Sequence, residues 1–291
     1  MDSEELFISQ ERITVKYRFT NTSAQDITTL IAFPLPDMPR ANGEHFGDSG
    51  PPDWNALDFK TKVDGVSVEL GFDQTAKVGN RIINDRLKEL GWPVDYWQDD
   101  AFFKRVQMLS HQEERGYAAE GLLKGDEYGY NPTWTVTTNI TRTQTFPAGK
   151  TVTVEHSYVP VAGSSVAGNL HKSARKNYAG QFREYSKVYC IDKAFITGFD
   201  RAMEKQRKTS GGQDGMYVEH WLSYVLKSGA NWKGPIKDFR LVVDKSKADN
   251  LVSFCMDGVK KISPTQFEMR KTDFEPAKDL DVLIVGFWNP E

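Results

Sequence analysis

Ile13, Val15, Tyr17 and Phe19 alternate with Thr14, Lys16, Arg18 and Thr20. Successive side chains of a strand point to opposite faces, so this period of two builds a strand with one dry and one wet side and is incompatible with a helix. The rhythm resumes at Ile27, Thr29, Ile31 and Phe33 after "NTSAQD", whose Asn, Ser and Asp side chains bond the local backbone in turns. An antiparallel hairpin is predicted. A second covers Phe59 to Phe72, with Asp64-Gly65 supplying the positive φ angles of a tight turn. A third joins Trp134, Val136, Thr138 and Ile140 to Val152, Val154, His156 and Tyr158 across Pro147 to Gly149. Repeated hairpins of this kind predict an antiparallel β-sandwich.

The period changes between the second and third hairpins. Ile82, Ile83, Leu87 and Leu90 fall at helical spacing and stop at Gly91-Trp92-Pro93. Phe102, Phe103, Val106 and Leu109 form a second stripe after Asp99 or Asp100 as N-cap. Residues 78–125 therefore read as a helical insertion in a sandwich domain spanning 1–160. The segment 161–180, rich in Gly, Ser and Ala and without a period, reads as a linker or long loop. Residues 181–291 read as a smaller β-rich domain: a short strand to Cys190, one helix starting at Asp192, then further strands. The fold class expected is mostly β, α+β overall. Pro34 and Pro36 end the strand that begins at Ile27, because proline has no N–H to donate, and they blunt the sandwich edge against stray pairing.

Charge excludes one partner class. The chain has 37 Lys and Arg against 40 Asp and Glu, scattered in both signs, so there is no basic stripe for nucleic acid. No stretch approaches the ~18 consecutive apolar residues of a membrane helix, and "MDSEELFISQ" has neither the basic start nor the apolar run of an export signal. The two cysteines, Cys190 and Cys255, fit two buried thiols or a disulfide equally well; closing so long a loop would contribute about 4 kcal/mol in the chain-entropy model.

Catalytic signatures are missing. The sequence has no Gly-rich phosphate loop, no Gly-x-Ser-x-Gly elbow and no His-Glu-x-x-His helix. His45, His111, His156, His171 and His220 are dispersed, and Asp95, Asp99 and Asp100 lack the ligand order of a calcium loop, so neither a metal nor another cofactor is expected. Ser173-x-x-Lys176 matches a nucleophile pattern, but in a glycine-bounded basic loop instead of the buried helix start that such chemistry needs. Trp54, Trp92, Tyr96 and Trp97 are the candidate contact residues, since Trp and Tyr offer large area with few torsions to freeze. The plainer reading of the same rings is that they plug a core.

The segments "EELFIS", "VKYRFTNTSAQDITTLIAFPLPD", "GANWKGPIKDFRLVVDK" and "VSFCMDGVKKISPTQFEMRKTDFEPAKDLDVLI" resemble the bacterial secreted proteins grouped as domain-of-unknown-function family 4424. The resemblance spans nearly the whole chain. It implies a periplasmic or secreted location and, with it, a Cys190–Cys255 disulfide. More weakly, the order of segments in the N-terminal half is similar to the vault/inter-alpha-trypsin β-sandwich domain. The function expected is that of an extracytoplasmic binding or interaction protein without catalytic activity, its partner a protein or an envelope component. The inserted helices, their aromatic connection and the 34–54 loop would form its contact surface. The alternatives are an envelope-acting hydrolase using the 164–178 loop and a structural component of an envelope assembly.

Overall fold

The computed structural model describes residues 1–38, 54–127, 129–166, 168–209, 215–227 and 233–288. The chain starts with β1 (Ser3–Ile8), β2 (Ile13–Thr20), β3 (Ile27–Pro34), β4 (Lys60–Val63), β5 (Val66–Ser67), β6 (Gly71–Val78) and β7 (Arg81–Ile82). Three short helices follow: α1 (Asn84–Leu90), α2 (Asp100–Gln107) and α3 (His111–Ala119). Next come β8 (Leu123–Asp126), β9 (Gly129–Pro132), β10 (Thr135–Phe146), β11 (Thr151–Tyr158) and β12 (Gly163–Val166). Helices α4 (Lys172–Asn177), α5 (Ala179–Tyr189) and α6 (Lys193–Thr209) precede β13 (Met216–Tyr224) and β14 (Ile236–Asp244). The last strands are β15 (Leu251–Phe254), β16 (Lys260–Lys261), β17 (Gln266–Phe274) and β18 (Leu280–Trp288). The fold is thus mainly β with helices added.

An eight-stranded sheet, in the order β16-β17-β14-β1-β2-β11-β4-β5, is the backbone of the molecule. Its centre joins the two ends of the chain: β1 runs parallel to β14, from Ser3 opposite Asp238 to Ile8 opposite Val243. Two four-stranded sheets, β3-β10-β6-β7 and β12-β13-β18-β15, lie against it. They cover the same face side by side. Ile13 and Val15 of β2 join the core formed with Leu222, Val282 and Ile284, whereas Phe19, two turns of the alternation further along β2, packs with Phe146 of β10. Sheet strands from either side of residues 161–180 are therefore shared, and that segment does not separate the sheets. Nor is it a bare linker: it carries β12, α4 and the start of α5, and Leu170 within it is fully buried. Gly, Ser and Ala carry little hydrophobic periodicity, which hides short elements of this kind from a pattern search.

Two of the expected hairpins are crossovers between sheets. β2 pairs with β11 and β3 pairs with β10, so the β2–β3 and β10–β11 connections pass together from one sheet to the other. Asn21 locks the two connections. Its Nδ2 donates to the carbonyls of Phe146 and Gln25, both at 2.8 Å, its Oδ1 accepts from the Ser23 N–H at 2.9 Å, and its own backbone bonds Lys150 and Gly149. Asn21→Ala leaves the Phe146 carbonyl buried without this donor, and we expect a loss of about 2 kcal/mol, read as a lower urea midpoint at unchanged slope. Asp64-Gly65, by contrast, turns β4 directly into β5, with φ of 48° and 82° and Val63 opposite Val66.

Pro34 does not stop the pairing of β3. The Leu35 N–H bonds Thr138 at 2.8 Å and the Met38 N–H bonds Val136 at 2.9 Å. Because alternate residues direct their N–H groups to opposite sides of a strand, the nitrogen of Pro34 faces the free edge of β3, where the missing donor costs no ladder bond. The edge-blunting part of the sequence argument fits this geometry, and the strand-ending part is corrected. Residues 39–53 of the proline-rich loop, with His45, lie outside the described residues.

The helices of the expected 78–125 insertion occupy 84–119; its ends are strand, β7 holding Ile82 and β8 starting at Leu123. Gly91 caps α1 at φ 62°, and the Asp99 side chain caps α2 by accepting from the Phe102 N–H at 2.9 Å. Leu87, Phe102 and Val106 pack on Val136 and Trp134 at the start of β10. The segment before Cys190, expected as a strand, is α5: Phe182, Tyr185 and Tyr189 form a helical stripe over Tyr217, Leu283 and Val285. The 181–291 portion thus holds α6 and most of α5 where one helix was expected. Cys190 and Cys255 form a disulfide with Cα atoms 5.1 Å apart.

Candidate functional site

Where the two smaller sheets meet over the large one, a cavity of about 370 Å³ remains. The cause is visible in the alternation: Glu4 of β1, Tyr17 of β2, Arg142 of β10, His156 of β11 and Tyr224 of β13 all stand at inward positions among Leu, Val and Phe neighbours. Residues Thr29 to Pro34 of β3 form one rim, and β3 is the outer strand of its sheet. The floor includes Phe19, Phe33, Phe146 and Val154. The volume falls in the range of small-molecule sites, roughly 300–1,000 Å³, and the mix of apolar walls with a few inward polar groups matches such sites.

The polar groups differ in how well they are satisfied. His156 Nδ1 lies 2.8 Å from Thr61 Oγ1, and burial pulls its pKa down to about 4, with the Arg142 charge adding to the fall. It is a neutral imidazole at pH 7. The Tyr17 and Tyr224 hydroxyls bond at 2.7 Å, and the Tyr224 hydroxyl reaches Glu4 Oε1 at 3.5 Å. Burial raises the Glu4 carboxyl to about 8, so it keeps its proton at neutral pH. Arg142 is the exception. Its Nη1 donates to Gln144 Oε1, its Nε is buried without a partner, and it forms no ion pair with a described carboxylate. Burial lowers its pKa, yet a guanidinium stays charged in a protein.

The four aromatic residues singled out from the sequence are not gathered here. Trp54 packs with Leu35, Met38, Leu57 and Ile140. Tyr96 is buried, stacking edge-on against Trp134 at a centroid distance of 4.9 Å, and Trp92 and Trp97 lie half-buried in the same helical core. The rings of Trp92, Tyr96 and Trp97 fill the space between the insertion and β10, and the indole N–H groups of Trp54 and Trp97 are buried with no hydrogen-bond partner among the described residues. Ser173 does open a helix, α4, contrary to the loop reading, and its Oγ lies 2.7 Å from His171 Nδ1. Both Ser173 and Lys176 are exposed, the contact is the local bond of a helix cap, and no described carboxylate bonds the His171 ring. Glu219, fully buried, accepts from the Leu170 N–H at 3.0 Å and from the Tyr185 hydroxyl; it fastens residues 168–170 and α5 to β13. Among the described residues no group of three His, Cys, Asp or Glu side chains could hold a metal ion, and no helix is long and apolar enough to cross a membrane.

Of the cavity's polar groups, His156 stands out in the sequence only as a strand histidine, and Glu4 and Arg142 are not among the candidate residues read from it. The signal was present. Continuing the Thr138, Ile140 register by two residues puts Arg142 on the dry face, and "EELFIS" puts Glu4 in register with Leu6 and Ile8.

These features define a mainly β protein with an amphipathic cavity at the seam of three sheets. The chain belongs to the family described as a domain of unknown function, DUF4424, whose model matches residues 1–283. No curated protein matches it. Among solved structures it is similar to a chain from Legionella pneumophila subsp. pneumophila described as a "putative nutrient binding protein", at 15% identity and a TM-score of 0.43. That alignment covers 97% of this chain and 65% of the Legionella chain.

Proposed function

We propose that this is an extracytoplasmic binding protein that performs no chemistry and holds a small, largely apolar ligand in the cavity between its sheets. The observation that carries this reading is the cavity itself, a space of about 370 Å³ kept open at the junction of three sheets and lined by five inward polar side chains. A core built only for stability would close such a space, because unfilled volume forfeits packing energy. The Cys190–Cys255 disulfide supports an oxidising compartment. The neutral dye N-phenylnaphthylamine, which fluoresces in apolar surroundings, should bind with one-to-one stoichiometry. Val154→Trp, which fills the floor, should abolish the signal while preserving the circular dichroism spectrum; dye fluorescence unaffected by Val154→Trp would defeat the reading.

A further inference from the structure

Resting on that reading, we infer that the ligand is an apolar monoanion whose carboxylate is held by Arg142 and whose hydrophobic body lies against the phenylalanine floor. The argument is one of charge balance inside the cavity. The ionisable side chains facing it are Glu4 from β1, Tyr17 from β2, Arg142 from β10, His156 from β11 and Tyr224 from β13, and Met1 lines the same space. At neutral pH the first is protonated, the histidine is neutral, and both phenols are raised above their ordinary range by burial. Arg142 is the one side chain among these that stays charged. Buried cations are ordinarily paired, because an unpaired one forfeits its hydration. Arg142 has no carboxylate partner among the described residues and keeps a buried Nε with nothing to donate to. A carboxylate accepts from a guanidinium in fork geometry, so an anionic guest supplies the missing counter-charge as well as the missing acceptor.

The rest of the lining sets the other requirement. Phe19, Phe33, Phe146, Ile31 and Val154 form a continuous apolar wall that offers nothing to a second charge. The volume equals roughly a dozen water molecules at about 30 Å³ each, enough for a medium-chain fatty acid or an aryl-alkanoic acid and too small for a peptide of several residues. These two sources share one chemistry, a carboxylate on an apolar body.

Displacement of N-phenylnaphthylamine reads the preference. Decanoate and phenylpropionate are compared with decanol and decyltrimethylammonium at pH 7, and the tighter of the two acids identifies the source. Decanoate should displace the dye at a concentration lower than decanol by about tenfold or more, and the cation should be weakest. Arg142→Met should equalise decanoate and decanol while dye binding persists; the variant should fold, since it removes a buried charge that has no counter-ion. Above about pH 8 Glu4 ionises inside the same cavity, so decanoate affinity should fall there, and Glu4→Gln should remove the fall. If the dye binds but the alcohol and the acid compete equally in the unaltered protein, the anion inference fails and the binding reading stands. If neither dye nor decanoate binds, by fluorescence or by direct calorimetry, both fail.

Discussion

Reducing the Cys190–Cys255 disulfide should destabilise the protein by about 4 kcal/mol, the loop-closure entropy of 65 residues in the chain-entropy model. For a chain of 291 residues that corresponds to a fall in Tm of about 7 °C at ~2 cal/mol/K of unfolding entropy per residue. The position of the bond says where the loss begins. Cys190 ends α5 in the left-handed region, at φ 53°, and Cys255 directly follows β15, the outer strand of its sheet. The Ser253 hydroxyl bonds the carbonyls of Tyr189 and Cys190, Leu251 packs in one cluster with Phe195 and Ile196, and the bridge adds the covalent tie between the α5–α6 corner and that edge. Left-handed backbone costs roughly 1–2 kcal/mol for a residue with a Cβ, so the reduced chain has reason to relax at this corner first. Thermal melts with and without reductant, together with limited proteolysis, test both parts. Coincident melts, or first cleavage in the insertion at 84–119, would show that the bridge is not the fastening argued here.

The same corner shows what could and could not be read from the sequence. Val188 and Tyr189 before Cys190 favour extended backbone and predict a strand, yet the stripe Phe182, Tyr185, Tyr189 has helical spacing and packs half-buried against β13 and β18. A short propensity window lost to a longer period. The alternating strands themselves were legible because each carries its own dry face, and so were the Gly91 and Asp99 caps, which act within a single turn. Pairing was not legible. The polar connections after Thr20 and Phe146 suit a hairpin or a crossover equally well, and only the partners decide: β2 finds β11, β3 finds β10, and Asn21 bridges the two crossings. The parallel pairing of β1 with β14 lies beyond any local signal, since it joins residues more than two hundred positions apart. The cavity inherits this difficulty. Arg142 and Glu4 each break the apolar register of a strand, but that the two breaks face one space follows from the sheet order alone.

Stability should be greatest between about pH 4.5 and 6.5 and should fall on the alkaline side because of Glu4. In the folded protein burial holds the Glu4 proton to about pH 8, while the unfolded chain releases it near 4.5. Between those values the native state binds more protons than the unfolded one, so stability decreases as pH rises, by about 1.4 kcal/mol per unit. His156 works in the opposite sense: its folded pKa of about 4 lies below the ordinary 6.5, so its contribution is lost as pH falls through that window. The two slopes cancel where they overlap, which leaves the plateau. Glu219, also raised, adds to the alkaline limb, and His220, also lowered, adds to the acidic one. Glu4→Gln keeps the shape and removes the titration, so relative to the unaltered protein it should gain about 4 kcal/mol between pH 4.5 and pH 8. Urea midpoints at pH 4.5, 6.5 and 8 measure this, and parallel profiles for the two proteins would exclude Glu4 as the cause. The carboxyl that limits stability is the one whose proton leaves the cavity with a net positive charge.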